Sequence, residues 1–227
     1  MEDHLQEILA HVVEQAVQTG EPVGSQNLVD HYGLDVSSAT VRNYFMALEE
    51  LGMIMQPHTS SGRLPSELGY RFYVENILKP RPLSRKEANE LMQTVSGVEN
   101  DEQRLKVCAK AVAELSQNAV VVGVGDMDSY YTGLTNLFSQ QEFRDWNRVV
   151  SMSDVLDRLD EVLIRLRTAR FDQPTTLIGS ACPFGPMCGA VMVNVGDSAV
   201  LSILGPMRMD YGQAISLALK IQEVMKT

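Results

Sequence analysis

The chain has 227 residues, 44% hydrophobic and 21% charged, ordinary values for a folded globular protein and enough chain for one to two domains of about 150 residues. Its net charge of −10 disfavours non-specific attraction to nucleic acid or to an anionic membrane surface. Three cysteines argue against a disulfide scaffold and for a reducing, cytoplasmic setting; no apolar run approaches the roughly 20 residues of a membrane span, and no signal peptide is visible at the N-terminus.

In chain order, Asp3–Thr19 repeats apolar residues at Leu5, Ile8, Leu9, Val12, Val13, Ala16 and Val17, the spacing of an amphipathic helix. Gly20 ends it, and Glu21-Pro22 turns the chain. Ser25 is a good N-cap for a short second helix, Gln26–Tyr32, which Gly33 stops. Ser37 or Ser38 caps a third helix to about Leu51, with Val41, Phe45 and Leu48 on one face. Met53–Gln56 and Arg63–Pro65 are short strand candidates around the turn cluster Pro57–Gly62. Ser66 then caps a helix from Glu67 to about Leu78. Three helices, a hairpin and a helix, with a tight turn between the second and third, make a winged helix-turn-helix plan for residues 1–78.

Lys79-Pro80-Arg81-Pro82 cannot continue a helix and marks a linker over 79–84. Helices are expected at Arg85–Val95, capped by Ser84, and at Glu102–Gln117. The period then changes. Ala119–Gly125 reads as a buried strand, Asp126–Ser129 as a turn and Tyr130–Leu134 as a returning strand. Helices follow at Gln141–Val150 and Ser153–Thr168, then strands at Thr175–Gly179, Ala190–Val195 and Ala199–Leu204, and a last helix at Tyr211–Met225. Residues 85–227 are therefore expected to be α+β, with helices flanking one antiparallel sheet.

The third helix carries the candidate chemistry. A helix in the major groove presents its N-terminal residues to base edges, and Ser37, Ser38, Thr40, Arg42 and Asn43 supply hydroxyls, a guanidinium and an amide there. Arginine reads guanine with two donors, and asparagine reads adenine. A plainer reading of the same residues has the serines capping a helix and Arg42 paired with Glu49 or Glu50. In the hairpin, His58, Thr59, Ser60, Ser61 and Arg63 are small or polar and suit close approach to phosphates or the minor groove; the plainer reading is an ordinary polar turn. Charge sharpens the question. Residues 1–78 hold Arg42, Arg63 and Arg71 against eleven acids, a net −8, while the rest carries −2. No acid lies within 37–43 or 58–63, so binding is expected to rest on local charge and neutral hydrogen bonds.

Other signals point to no chemistry. Cys182 and Cys188 have no neighbouring histidine, and two thiols are too few for zinc. Gly123-x-Gly125 lacks the third glycine of a dinucleotide loop. All four histidines (His4, His11, His31, His58) lie in the first 58 residues, so the second half has no histidine base. No catalytic residue, cofactor or metal is expected, and an enzyme is not.

Glu21–Ser25 (EPVGS), Ser37–Asn43 (SSATVRN), Leu48–Gly52 (LEELG), Gln56–Pro65 (QPHTSSGRLP) and Gly69–Val74 (GYRFYV) resemble the N-terminal domain of the heat-inducible transcription repressor family HrcA. Leu134–Phe138 with Glu142-Phe143, Ile178–Ser180 and Ile203–Tyr211 (ILGPMRMDY) resemble, in the same order, its C-terminal GAF-like domain. The resemblance implies a homodimeric repressor of chaperone genes on an inverted-repeat operator, with the chaperonin GroE as modulator. Family members carry an insert between the regions near Val122 and Tyr130, where this chain has only Gly125–Ser129. Position 44 is Tyr here and Asp in the family's pattern; position 61 is Ser here and Ala there. The expected second half is thus a helical dimerisation segment with a reduced GAF-like domain. Two other readings stay open: a winged-helix regulator whose second domain senses a small ligand, and a protein-interaction module that has lost DNA binding.

Overall fold

The computed structural model describes residues 1–59, 61–124, 128–144, 155, 157, 159–167, 169–196 and 199–226. They form an α+β structure in two compact units, Met1–Leu78 and Lys79–Thr227.

In the first unit, α1 (Asp3–Thr19) buries Leu5, Ile8, Leu9, Val12, Val13 and Ala16 along one stripe, which packs on α3, α4 and β2. The second helix, α2, spans Ser25–Tyr32 and ends at Gly33, whose φ of 62° is a left-handed conformation that a side chain would strain. That turn sends the chain into α3 (Ser38–Glu50). Ser37 is its N-cap, accepting the Thr40 N–H, and Val41, Phe45 and Leu48 form its buried face. Strands β1 (Ile54–Met55) and β2 (Leu64–Pro65) pair antiparallel, shorter than their expected spans, and Val23 adds a third antiparallel rung against Arg63. Ser66 caps α4 (Glu67–Asn76) by accepting the Gly69 N–H. One cap differs from expectation. Gly24, with no side chain to contribute, stands at the N-cap of α2, and Ser25 is already helical.

The second unit opens at the expected linker, but Arg81 is fastened there: its N–H donates to the Gly212 carbonyl at 3.3 Å and its guanidinium to Glu87 at 2.8 Å. Ser84 and Glu87 form a reciprocal capping box at the start of α5 (Arg85–Val95). The Arg81 side chain and the Ser84 hydroxyl and N–H hold the Glu87 carboxyl down from its ordinary 4.5 to about 2. A carboxyl held low stabilises the folded state above its unfolded value, and that contribution fades as pH falls from about 4.5 toward 2. Glu87→Gln should therefore unfold more readily at pH 7 than the wild type and lose less on acidification. Urea titrations at pH 7 and pH 3 measure this difference; equal acid sensitivity in both chains would contradict it.

Helix α6 (Asp101–Ser116) leads into a five-stranded antiparallel sheet of β3 (Ala119–Val124), β4 (Asp128–Thr132), β5 (Thr175–Ile178), β6 (Cys188–Val195) and β7 (Ala199–Pro206), in the order β4-β3-β7-β6-β5. Register runs Val121↔Ser202 between β3 and β7 and Val191↔Ile203 between β6 and β7. Helices cover both faces. The last helix, α9 (Tyr211–Val224), packs with α6 on one; α7 (Leu134–Phe138) and α8 (Leu159–Arg167) pack on the other. Burial on both faces explains why β7 is apolar almost throughout rather than alternating. The α7–α8 side holds one hydrophobic core cluster: Val121, Leu137, Leu163, Phe184, Met192 and Leu204, with Cys182 and Cys188 among them. All three cysteines are free thiols. Burial pushes Cys108 up to about 11 and Cys182 to about 12, and raises Cys188 as well.

Two expectations need correction here. The strand expected over Tyr130–Leu134 is β4, ending at Thr132, and Leu134 opens α7 instead. The helix expected over Gln141–Val150 is a single 3-10 turn at Gln141–Arg144, and its remainder lies outside the described residues, as do Asp126 and Met127 of the expected Asp126–Ser129 turn, whose last two residues belong to β4 instead, and part of the Ser153–Thr168 helix. Among the described residues no helix is long and apolar enough to cross a membrane.

Candidate nucleic-acid interface

On α3, the face opposite Val41, Phe45 and Leu48 carries Ala39, Arg42, Asn43, Met46 and Glu50, all exposed. This is the solvent stripe of an amphipathic helix at i, i+3, i+4, i+7 spacing. The hydroxyls at its start are engaged internally. The Ser37 oxygen accepts the Thr40 N–H and lies 3.0 Å from the Thr40 hydroxyl, so these two residues build the cap, as the plainer reading had it. Ser38 is the first residue of α3 and partly exposed.

Arg42 pairs with neither Glu49 nor Glu50. Its Nε–H donates to the Ser25 hydroxyl of α2 at 3.2 Å. The arginine that takes Glu49 is Arg63, whose Nε lies 2.9 Å from one carboxylate oxygen and whose Nη2 donates to the other at 3.0 Å. Both side chains are largely covered, 18% and 30% exposed. The hairpin cation expected to face phosphate is thus neutralised by an acid from α3. This pair ties β2 to α3, as the Val23–Arg63 rung ties the lead-in of α2 to β2. Arg63→Ala should cost the first unit about 1–2 kcal/mol, the scale of a partly covered charged hydrogen bond. Thermal unfolding measures that loss; an unchanged midpoint would mean that the pair holds nothing together.

The hairpin turn is closed by its own side chains. The Ser61 hydroxyl accepts the His58 N–H and donates to the His58 carbonyl, and Gln56 donates to the Thr59 and Ser61 carbonyls, each at 3.0 Å. His58 and Thr59 are exposed, while Ser60 lies outside the described residues. Between the hairpin and α3 runs an open groove of about 400 Å³, lined by Gly24, Ser25, Arg42, Met46, Gly62 and Arg63. Gly24, Ser25 and Met46 were not among the residues expected from the sequence. A serine at a helix start and an exposed methionine on another helix carry no local signal that they line one groove.

In the second unit the string Ile203–Tyr211 is architectural. Arg208 pairs with Glu142 and donates to the Gln140 side chain at 2.9 Å. Asp210 caps α9, and the Tyr211 hydroxyl donates to the Met207 carbonyl at 2.8 Å. Tyr211 packs so closely over Gly189 that a Cβ there would sit 2.0 Å from its hydroxyl.

A family model described as the HrcA protein C-terminal domain matches residues 73–215. The heat-inducible transcription repressor HrcA of Mycobacteroides abscessus is 37% identical over 209 residues, covering 87% of this chain and 58% of that protein. The repressors of the same name from Frankia casuarinae and Moorella thermoacetica are 39% and 47% identical over 129 and 87 residues, covering 57% and 38% of this chain. The chain spans between 25% and 58% of the length of these relatives. A crystal structure described only as that of a hypothetical protein, 17% identical, superposes with a TM-score of 0.77 over 99% of both chains and shares the fold. Matched over residues 73–215 by the family's C-terminal model, the chain belongs to the HrcA family.

Proposed function

We propose that this protein is a cytoplasmic, non-enzymatic transcriptional repressor of heat-shock genes that binds an inverted-repeat operator as a homodimer. In this reading the first unit is a winged helix-turn-helix, with α2, the Gly33 turn and α3 entering the major groove and the β1–β2 hairpin as the wing. The second unit is a reduced GAF-like domain that dimerises together with α5 and α6. The observation that carries the reading is the exposed pair Arg42 and Asn43 on the first turns of α3, beside a groove bounded by the hairpin. Its relatives' name, heat-inducible transcription repressor, supports the same role.

Charge sets the terms of binding. With Arg63 paired to Glu49, the exposed arginines of the first unit are Arg42 and Arg71. At a slope of about −0.9 per neutralised phosphate, affinity should fall with salt by no more than about −2 per protomer and −4 per dimer. So small a reserve makes two copies on one duplex necessary. The test is selection from a randomised duplex pool, followed by salt titration and sedimentation on the enriched duplex. Two half-sites about 10–10.5 base pairs apart or a multiple of that, a shallow slope and a two-protomer complex are expected. A chain that enriches no duplex would favour the interaction module instead. Repeating the titration with added chaperonin tests the modulator that the family resemblance implies.

A further inference from the structure

Ser25 stands at the first position of α2, one residue past the N-cap position where a serine ordinarily caps a helix. Here Gly24 holds the N-cap position and α2 has no side-chain cap. The Ser25 hydroxyl instead accepts the Nε–H of Arg42, 17 residues away on α3. Both residues line the groove beside the hairpin.

A guanidinium has two edges that can grip an acceptor pair, one made of Nε and a terminal nitrogen, the other of the two terminal nitrogens. With Nε engaged by Ser25, only the end-on edge of Arg42 is left to face a base. That edge matches the O6 and N7 acceptors of guanine in the major groove. An arginine on an open helix face otherwise loses its rotamer freedom when it binds. Resting on the proposed DNA-binding role, we infer that Ser25 is a positioning residue that presets Arg42 to read guanine end-on, so that α2 contributes to specificity through α3.

Several ties hold the base of this arrangement. Val23, two residues before Ser25, exchanges two backbone hydrogen bonds of 2.8 Å with Arg63, and Arg63 is clamped by Glu49 of α3. The start of α2 is therefore fixed against the helix that carries Arg42, and the Ser25 hydroxyl is presented from a rigid support.

The experiment uses the full 227-residue chain as wild type, Arg42→Ala, Ser25→Ala and Ser25→Thr, each selected on a randomised duplex pool. The wild type should enrich a guanine whose preference Arg42→Ala erases. Ser25→Ala should weaken preference at that same base pair by about two- to tenfold, the cost of ordering one long side chain, and Ser25→Thr, which keeps the hydroxyl, should restore it. Replacing that guanine by 7-deazaguanine removes the N7 acceptor; the resulting penalty should be smaller for Ser25→Ala than for the wild type and for Ser25→Thr. A Ser25→Ala chain that binds guanine and 7-deazaguanine duplexes with the wild-type ratio overturns the inference, whatever its absolute affinity. So does a guanine preference that survives Arg42→Ala. A wild type that enriches no duplex overturns the DNA-binding role itself, and this assignment with it.

Discussion

Phe184→Ala should cost the second unit about 3–5 kcal/mol. Phe184 is fully buried on the loop between β5 and β6, within the cluster that includes Leu163 of α8 and Met192 of β6. Removing the ring loses its transfer free energy and leaves a cavity that close-packed neighbours fill only in part. Urea denaturation followed by circular dichroism would give the loss directly. A second readout comes from chemistry. Cys182, two residues before Phe184, has its thiol pushed up to about 12 by burial, so its alkylation should be slow in the wild type and faster in the variant. A loss below about 1 kcal/mol with unchanged alkylation would mean that the loop rests on the sheet without belonging to its core.

Replacing Arg42 and Asn43 together by alanine should weaken binding to the selected duplex by about 2–6 kcal/mol, since each two-donor base contact is worth about 1–3 kcal/mol. Folding should be unaffected. Both residues are exposed, and the buried face of α3 is Val41, Phe45 and Leu48. The hydroxyls of Ser37 and Thr40 stay in the cap, so the helix start survives the exchange. Equal melting temperatures with a tight-to-weak change in binding are expected. Wild-type affinity in a folded double variant would remove α3 from the interface. Single variants should also separate in character, Arg42→Ala relaxing choice at a guanine and Asn43→Ala at an adenine.

Local chemistry made much of the architecture legible. The apolar stripe of α1 read directly as a helix because 3.6-residue periodicity needs only neighbours in sequence, and Gly33 marked the turn after α2 because few residues tolerate its backbone. Ser84 announced the start of α5 in the same way, as a cap read from its neighbours, and the structure adds Glu87, three residues on, as its reciprocal partner. Strand positions 190–195 and 199–204 were plain from their apolar runs, and the structure extends them to Cys188–Val195 and Ala199–Pro206. Where short-range signals competed, reading failed: Leu134 looked like the end of a strand, yet Gly133 turns the chain and α7 begins there.

The candidate interface divides along the same line. Which residue types stand at the start of α3 was determined by the sequence, and with them the exposure of Arg42 and Asn43 opposite a periodic apolar face. Which groups they meet was decided only by the tertiary structure. Three arginines and eleven acids in residues 1–78 allow many pairings, and charge alone does not choose among them. Packing does. It brings Arg63 against Glu49 across 14 positions, leaves Arg42 to the hydroxyl of Ser25 across 17, and joins Arg208 to Glu142 across 66. A side chain's partners depend on where separate elements cross, and crossing is set by the burial of whole faces. The string Ile203–Tyr211 could thus be recognised from sequence as distinctive, while its work of joining the 3-10 turn, β6 and α9 became visible only once those elements were packed together.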